Sequence, residues 1–262
     1  MSTEDAPPHG GQVSENGTAL EAARVLALLD ASRHSLAALT AAVNLASLRH
    51  AELVALYVED MDLLRCAAFP FSCEIGAQSG LSRPLTPDSL ETSIARQLQR
   101  VHQALAGAVA GRSLRHRLEV ARGQVVSAAL TMATAEDVLV LGKAGTTERW
   151  GTRLGSTSRR LILEAPCTVL LWDERHPFKR GPLRWLKPVA GESEAPPAMA
   201  EWLAALFEDG APLPVSHAYE LERALAHANA GGLLLHRGEL ESLLNEDPEL
   251  IARVPLPILV VP

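Results

Sequence analysis

The fold is restricted most by a set of short apolar runs that are continuous instead of alternating. Val25-Leu26-Ala27-Leu28-Leu29, Leu53-Val54-Ala55-Leu56-Tyr57-Val58, Val138-Leu139-Val140-Leu141 and Thr168-Val169-Leu170-Leu171-Trp172 are the clearest. A strand with one wet face alternates apolar and polar residues. A strand buried on both faces does not, and such strands belong to parallel sheets covered by helices. The stretches between these runs have helical periodicity. Leu36, Leu39, Val43 and Ala46 form one stripe, and Leu90, Ile94, Leu98, Val101, Leu105 and Val109 form another. Further helices are expected over 125–135 and 156–164, and a more polar strand over 115–120 belongs at a sheet edge.

This alternation of strand and helix predicts an α/β fold. It is an open, twisted, parallel five-stranded sheet of Rossmann-like type with helices on both faces. Such sheets bind ligands outside the carboxyl ends of their strands, where the strand order reverses. Asp30, Val58 and Gly142 stand at such ends.

The rest of the chain divides around this core. Residues 1–20 are polar, with Gly and Pro, and read as a flexible tail ahead of a domain over 21–175. Residues 61–87 hold Pro70, Pro84 and Pro87 and read as a long loop over one end of the sheet. Residues 176–200 carry Pro177, Pro182, Pro188, Pro196 and Pro197 and read as a linker. Residues 201–262 then repeat part of what precedes. The helix, buried strand and glycine turn of 125–145 recur over 220–238, and Pro257-Ile258-Leu259-Val260-Val261 echoes Cys167-Thr168-Val169-Leu170-Leu171. The C-terminal part reads as a shortened second copy, although any two strand–helix segments share some likeness. It lacks one strand–helix unit, expected between its first helix and Leu213-Pro214-Val215-Ser216-His217.

Charge and cysteine content exclude several function classes. Lys plus Arg is 24 and Asp plus Glu is 31, a net charge of −7, which gives no general attraction to nucleic acid. Cys66, Cys73 and Cys167 are too few for a disulfide framework, and no CxxC occurs. Cys66 and Cys73 could pair for redox or metal work, but free thiols are the simpler reading, and Cys167 reads as a packed core thiol. The N-terminus lacks the basic start and apolar core of a signal peptide, and no run approaches a membrane span of roughly 20 apolar residues. The expected location is cytoplasmic, without membrane contact.

The stretch richest in chemistry runs from Gly142 to Ser156, leaving a buried strand and entering a helix. Gly142 and Gly145 allow a backbone to approach a ligand closely. Gly155 and Ser156 start a helix whose free N–H groups and partial positive charge suit an anion, and the hydroxyls of Ser156 and Thr157 can add to it. Between Gly142 and Arg160, Lys143, Arg149, Arg153, Arg159 and Arg160 against Glu148 make the chain locally +4. Phosphate is the natural anion, while a glycine loop with a solvated basic face accounts for the composition equally.

Other phosphate motifs are absent, since Gly142-Lys143 continues with Ala144 and no GxGxxG follows the first strand. That strand ends in Asp30-Ala31-Ser32. The Asp30 carboxylate could accept from an adenine amino group or a ribose hydroxyl, or could simply hold a turn. No Ser-His-Asp constellation or metal-ligand spacing is visible. His34 reads as a solvated histidine at the start of a helix.

The motif resembles that of the universal stress protein family, which is Gly, two residues, Gly, nine residues, Gly, then Ser or Thr. Gly142, Gly145, Gly155 and Ser156 satisfy every position. The opening strand with Asp30-Ala31-Ser32, and the stretch from Leu154 to Leu161 followed by Ala165-Pro166-Cys167, also match. The likeness covers about residues 20–173 well and the remainder weakly.

This resemblance implies ATP, or another adenine nucleotide, in the crevice, with Mg²⁺ carried by its phosphates. It assigns Asp30 and the Val58 backbone to adenine, beside Ala31, and Gly142, Lys143 and Gly145 to ribose and phosphates. Gly155, Ser156 and Thr157 fall to the outer phosphates. It implies dimerisation through the last strand. In this chain that becomes an intramolecular pseudo-dimer of 169–172 with 258–261, with a homodimer left open. The second copy, with His236-Arg237-Gly238-Glu239 at the glycine turn and acids further on, is expected not to bind nucleotide.

The leading expectation is a nucleotide-dependent sensor or regulatory module in stress response. The alternatives are a slow ATPase or phosphotransferase at the same site, for which no general base can be assigned, and a nucleotide-free adaptor.

Overall fold

The computed structural model describes residues 24–76, 79–143, 154–176, 178–186 and 201–262. The expected tail, Gly145, Arg149, Arg153 and the greater part of the expected linker lie outside the described residues.

The apolar runs form the strands expected of them. β1 (Arg24–Leu29), β2 (Glu52–Asp60), β6 (Val138–Gly142) and β7 (Thr168–Trp172) are joined by β5 (His116–Gly123) in the order β5-β2-β1-β6-β7, all parallel. The polar strand β5 lies at the edge. Alternate residues of each inner strand enter opposite layers. Leu26, Leu56, Leu139 and Leu171 pack on one side with helices α4 (Val125–Met132) and α5 (Ser156–Glu164). Val25, Ala27, Leu53, Ala55 and Val140 pack on the other with α1 (Arg33–Arg49) and α3 (Pro87–Val109). Burial on both faces is the physical reason these runs do not alternate. The start of α3 is fixed by Pro87 in its first turn and by a reciprocal capping box between Thr86 and Ser89.

Two expected loops contain regular structure. The 61–87 segment holds a short helix, α2 (Met61–Ala67), capped by Asp60, and a hairpin of β3 (Cys73–Ile75) and β4 (Ser82–Pro84). The expected linker contains β8 (Pro182–Leu186), a strand of the main sheet. Beyond it come α6 (Glu201–Leu206), β9 (Glu208–Leu213), α7 (Ala218–Leu225), β10 (Gly232–His236), α8 (Arg237–Glu246), α9 (Leu250–Arg253) and β11 (Ile258–Val261).

These strands extend the first five into one nine-stranded sheet, β5-β2-β1-β6-β7-β11-β10-β8-β9. The junction is antiparallel, with Leu259 opposite Leu170 and Val260 opposite Val169. The order β9-β8-β10-β11 mirrors β2-β1-β6-β7 across that junction. Among the described residues no strand beyond β9 takes the place that β5 holds beyond β2.

Both core layers run across the junction. Leu171, Leu235 and Val260 share one layer, and Leu170, Leu234 and Leu259 share the other. The Arg49 guanidinium of α1 stacks over the Trp202 ring of α6, 5.3 Å from its centroid. No described helix is long and apolar enough to cross a membrane.

Candidate functional site

A cleft of about 250 Å³ opens at the carboxyl ends of β1, β2 and β6. The chain leaves β1 for β2 on one side, and returns to β6 on the other, so the strand order reverses here. Asp30, Val58, Gly142, Gly155, Ser156 and Thr157 all line this one cleft, joined by Ser32, Ser35 and Val125. Residues separated by up to 127 positions, Asp30 to Thr157, are brought together by the ends of β1, β2 and β6 and the starts of α1, α4 and α5.

The floor is built by a tight turn between β1 and α1. Ala31 takes a left-handed conformation at φ 61°, which L-residues adopt only when their surroundings hold them there. Here Asp30 Oδ1 accepts from the Ser32 N–H at 2.9 Å, and the Asp30 N–H donates to Ser35 Oγ at 3.3 Å. Ser32 then caps α1 by accepting from the Ser35 N–H at 3.2 Å. Asp30 therefore performs the turn role with one carboxylate oxygen. Its other oxygen makes no hydrogen bond among the described residues. Ala31 shapes the turn without lining the cleft.

The far wall is the N-terminus of α5. Gly155 is its cap, at φ −61° and ψ 150°, and no side chain caps the free N–H groups that follow. Ser156, Thr157 and Ser158 present this end to the cleft. An uncapped helix start facing a cavity is a ready anion site. A Cβ at Gly155 would meet nothing within 4 Å among the described residues.

Gly142 closes the cleft at the end of β6. A Cβ there would stand 2.9 Å from the His34 carbonyl carbon, so glycine is required for β6 to meet the start of α1. His34 is consequently buried, at 5% exposure, not solvated as its position in sequence suggested.

Lys143 departs from expectation. Its side chain is 1% exposed and turns away from the cleft, donating from Nζ to the carbonyls of Val254 and Leu256, each at 2.6 Å. Burial lowers its pKa to about 7, opposed by the nearby Asp173 carboxylate. Of the basic residues counted in this segment, Arg149 and Arg153 lie outside the described residues. Lys143 is spent elsewhere and Arg160 is paired with Glu164 at 3.0 Å along α5.

A second groove of about 200 Å³ adjoins the cleft and shares Val125, Ser156 and Thr157 with it. Asp60, Asp62, Gln124, Val126 and Arg160 complete its lining. Sequence reasoning missed this neighbour because Asp60 and Asp62 cap and open α2, a helix hidden among prolines. Ser32 and Ser35 were legible as cap and turn residues but gave no sign of facing a ligand. Among the described residues, no group of three or more His, Cys, Asp or Glu could hold a metal ion. Cys66 and Cys73 are exposed free thiols, and Cys167 is a buried one whose pKa is pushed up to about 11 by burial.

Comparison with known proteins adds the following. The family model for the universal stress protein family matches residues 22–172. A universal stress protein from Archaeoglobus fulgidus is 15% identical over 91% of this chain and 95% of its own, with a TM-score of 0.55, a likeness of fold across both halves. The universal stress protein UspA from Lactobacillus plantarum is 24% identical over 58% of this chain and 97% of its own, with a TM-score of 0.44. A universal stress protein solved in complex with cAMP is 17% identical over 58% of this chain and 98% of its own, at a TM-score of 0.38. No curated protein matches. The family match spans more than half of the chain, the first five strands and the cleft fall within it, and the chain belongs to the universal stress protein family.

Proposed function

We propose that the cleft binds an adenine nucleotide, ATP above all, and that the protein acts as a nucleotide-dependent sensor or regulatory module. One observation carries this reading: an uncapped helix N-terminus at Gly155-Ser156-Thr157 faces Asp30 and Gly142 across a cleft at the sheet's switch point. The free N–H groups suit phosphates. The unused Asp30 oxygen suits an adenine amino or ribose hydroxyl donor, and Val58 offers a buried backbone edge for the base. Mg²⁺ would be carried by phosphate oxygens beside the Ser156 and Thr157 hydroxyls.

In the same reading the strands from β8 to β11 are a shortened second copy. Its mirrored strand order and the antiparallel β7–β11 pairing support a pseudo-dimer within one chain. Where the first copy has its glycine turn, the second has His236 and Arg237 at the start of α8, capped by Glu239. The Glu239 carboxylate accepts from the His236 N–H at 2.7 Å, and its negative charge there disfavours phosphate.

A slow hydrolytic activity is the second reading. The Asp60 and Asp62 carboxylates in the groove that shares Ser156 and Thr157 with the cleft favour it. One experiment separates the two. The purified protein is denatured, released nucleotide is identified by chromatography, and added ATP is followed with time. Retained, uncleaved ATP supports the sensor. Steady ADP formation abolished by Asp30→Ala supports the enzyme. A well-folded sample that holds no nucleotide overturns both.

A further inference from the structure

The basic residue best placed by sequence to meet phosphate is buried on the other side of its strand. Lys143 directly follows Gly142, which forms cleft wall, and its own N–H donates to the Trp172 carbonyl at 2.8 Å. Its ammonium crosses the β7–β11 junction to the carbonyls of Val254 and Leu256. These two belong to the segment between α9 and β11, and nothing in 250–256 lines the cleft. A second bond repeats the pattern. Arg237, at the start of α8, donates from Nη2 to the Ala165 carbonyl, the cap at the end of α5. The segment that carries the helix start facing the cleft runs from Lys143 to Ala165. Both of its ends are therefore bonded to the C-terminal half, one to the segment between α9 and β11 and one to α8.

We infer that Lys143 is a positioning residue for the cleft, coupling the placement of Gly142 and α5 to the packing of residues 254–256 in the C-terminal half. Lysine is a costly choice for this place, since burying an ammonium costs far more than burying a methionine of similar length. A residue needed only for packing would be apolar. Two directed bonds to backbone carbonyls instead fix the end of β6 in one arrangement relative to the C-terminal half. A ligand that favours that arrangement is then felt at 254–256, and by linkage a change at 254–256 is felt by the ligand. The charged groups around the ammonium are Asp173 and Arg175, which are bonded to each other. Charge-assisted bonds are stronger than neutral ones, so the tie is firmest while Lys143 is protonated.

The inference rests on the nucleotide reading of the cleft for its ligand, so the test has an arm with ATP and an arm without. Amide hydrogen exchange is measured on the full chain, wild type and Lys143→Met, and ATP affinity is titrated at pH 6.5 and 8.5. In wild type, ATP is expected to slow exchange at 251–256 as well as at 141–143. In Lys143→Met the protection at 251–256 disappears, and ATP binds about tenfold more weakly at pH 6.5, as expected for an ordinary coupling between sites. That deficit shrinks at pH 8.5, where wild-type Lys143 is largely neutral. A purely structural lysine would not give this pH dependence. Protection confined to the cleft in wild type, or kept at 251–256 in the variant, overturns the inference.

If wild type binds no ATP, the nucleotide reading fails, and the ligand-free arm decides alone. Faster exchange in Lys143→Met at both 141–143 and 251–256 upholds the coupling, and faster exchange at only one of them refutes it. Lys143→Gln, a neutral donor, replaces Lys143→Met throughout if the latter does not fold.

Discussion

Gly142 rests directly on the backbone of His34. An added Cβ would lie 2.9 Å from the His34 carbonyl carbon and 3.0 Å from its oxygen, closer than real Cβ atoms stand. Neither side can yield cheaply, because Gly142 is held in register with Trp172 and His34 lies in the first turn of α1. This contact sets the width of the cleft between β6 and the Ser32–Ser35 turn.

Gly142→Val is therefore expected to destabilise the fold by about 1–3 kcal/mol, the usual cost of forcing atoms into a packed core. Gly142→Ala should cost less and in the same direction. The urea midpoint checks this. Both variants should also lose nucleotide affinity, since the wall moves outward.

Gly155 provides the contrast. Its φ of −61° and ψ of 150° suit any residue, and a Cβ there meets nothing within 4 Å among the described residues. Gly155→Val should lower the unfolding free energy from urea melts by only about 1 kcal/mol, the usual cost of an apolar residue at a helix N-cap. It should weaken ATP at least about tenfold by filling the space over the helix start, since tenfold is only 1.4 kcal/mol. Calorimetric titration measures this. Normal binding by the variant would place the phosphates elsewhere.

How much of this was legible in the sequence depends on burial. β1, β2, β6 and β7 announce themselves because both of their faces are buried, and α5 begins where Gly155 and Ser156 say it should. β8 and β9 do not. Pro182-Leu183-Arg184-Trp185-Leu186 and the Glu208–Leu213 strand lie at the far edge of the sheet, where partial exposure permits prolines and charges. A proline-rich stretch therefore reads as linker although it holds a strand. The cleft is legible to the extent that it is made of backbone: glycines, helix starts and strand ends. Side-chain direction is not. Nothing local to Lys143 reveals that its partners are carbonyls 111 and 113 positions away. A count of charges along the sequence therefore includes Lys143, which the cleft does not receive.

The amino end of the sheet is pinned by charge. Asp137, 2% exposed, accepts from Arg24 Nε at 3.0 Å and Nη2 at 2.8 Å, and from the Thr134 N–H and hydroxyl at 2.8 and 2.9 Å. Burial alone would raise its pKa, but the Arg24 and Thr134 bonds outweigh burial and hold it below the ordinary carboxylate value. A lowered carboxyl pKa contributes stability that is fully present above the unfolded value. That stability is lost as pH falls through the folded value. Asp137→Asn should cost about 3–5 kcal/mol at pH 7, because it removes the buried carboxylate of an ion pair that Arg24 and Thr134 both bond. The gap to wild type should narrow below pH 4, near the ordinary carboxyl value of 3.8. Urea melts from pH 7 down to 3 would show it, and a constant gap would refute the assignment.

The last strand carries a different kind of load. β11 stands between β7 and β10, so its removal uncovers two strand edges at once, both in the middle of the sheet. Val169, Leu170 and Leu171 of β7 are each at most 4% exposed, so the uncovered edge would be apolar as well as unpaired. Unpaired apolar edges recruit other chains. A chain ending at Pro257 is therefore expected to self-associate or precipitate where the full chain does not, and light scattering during concentration distinguishes the two. Leu259→Ala keeps every ladder bond but empties the space facing Leu170. It should cost about 2–5 kcal/mol without association. Loss of stability in both cases, with association only in the truncated chain, would separate the two contributions of β11, core packing by its side chains and edge closure by its backbone. If the truncated chain stays monodisperse and folded, the antiparallel junction is dispensable, and the first five strands close their own edge without it.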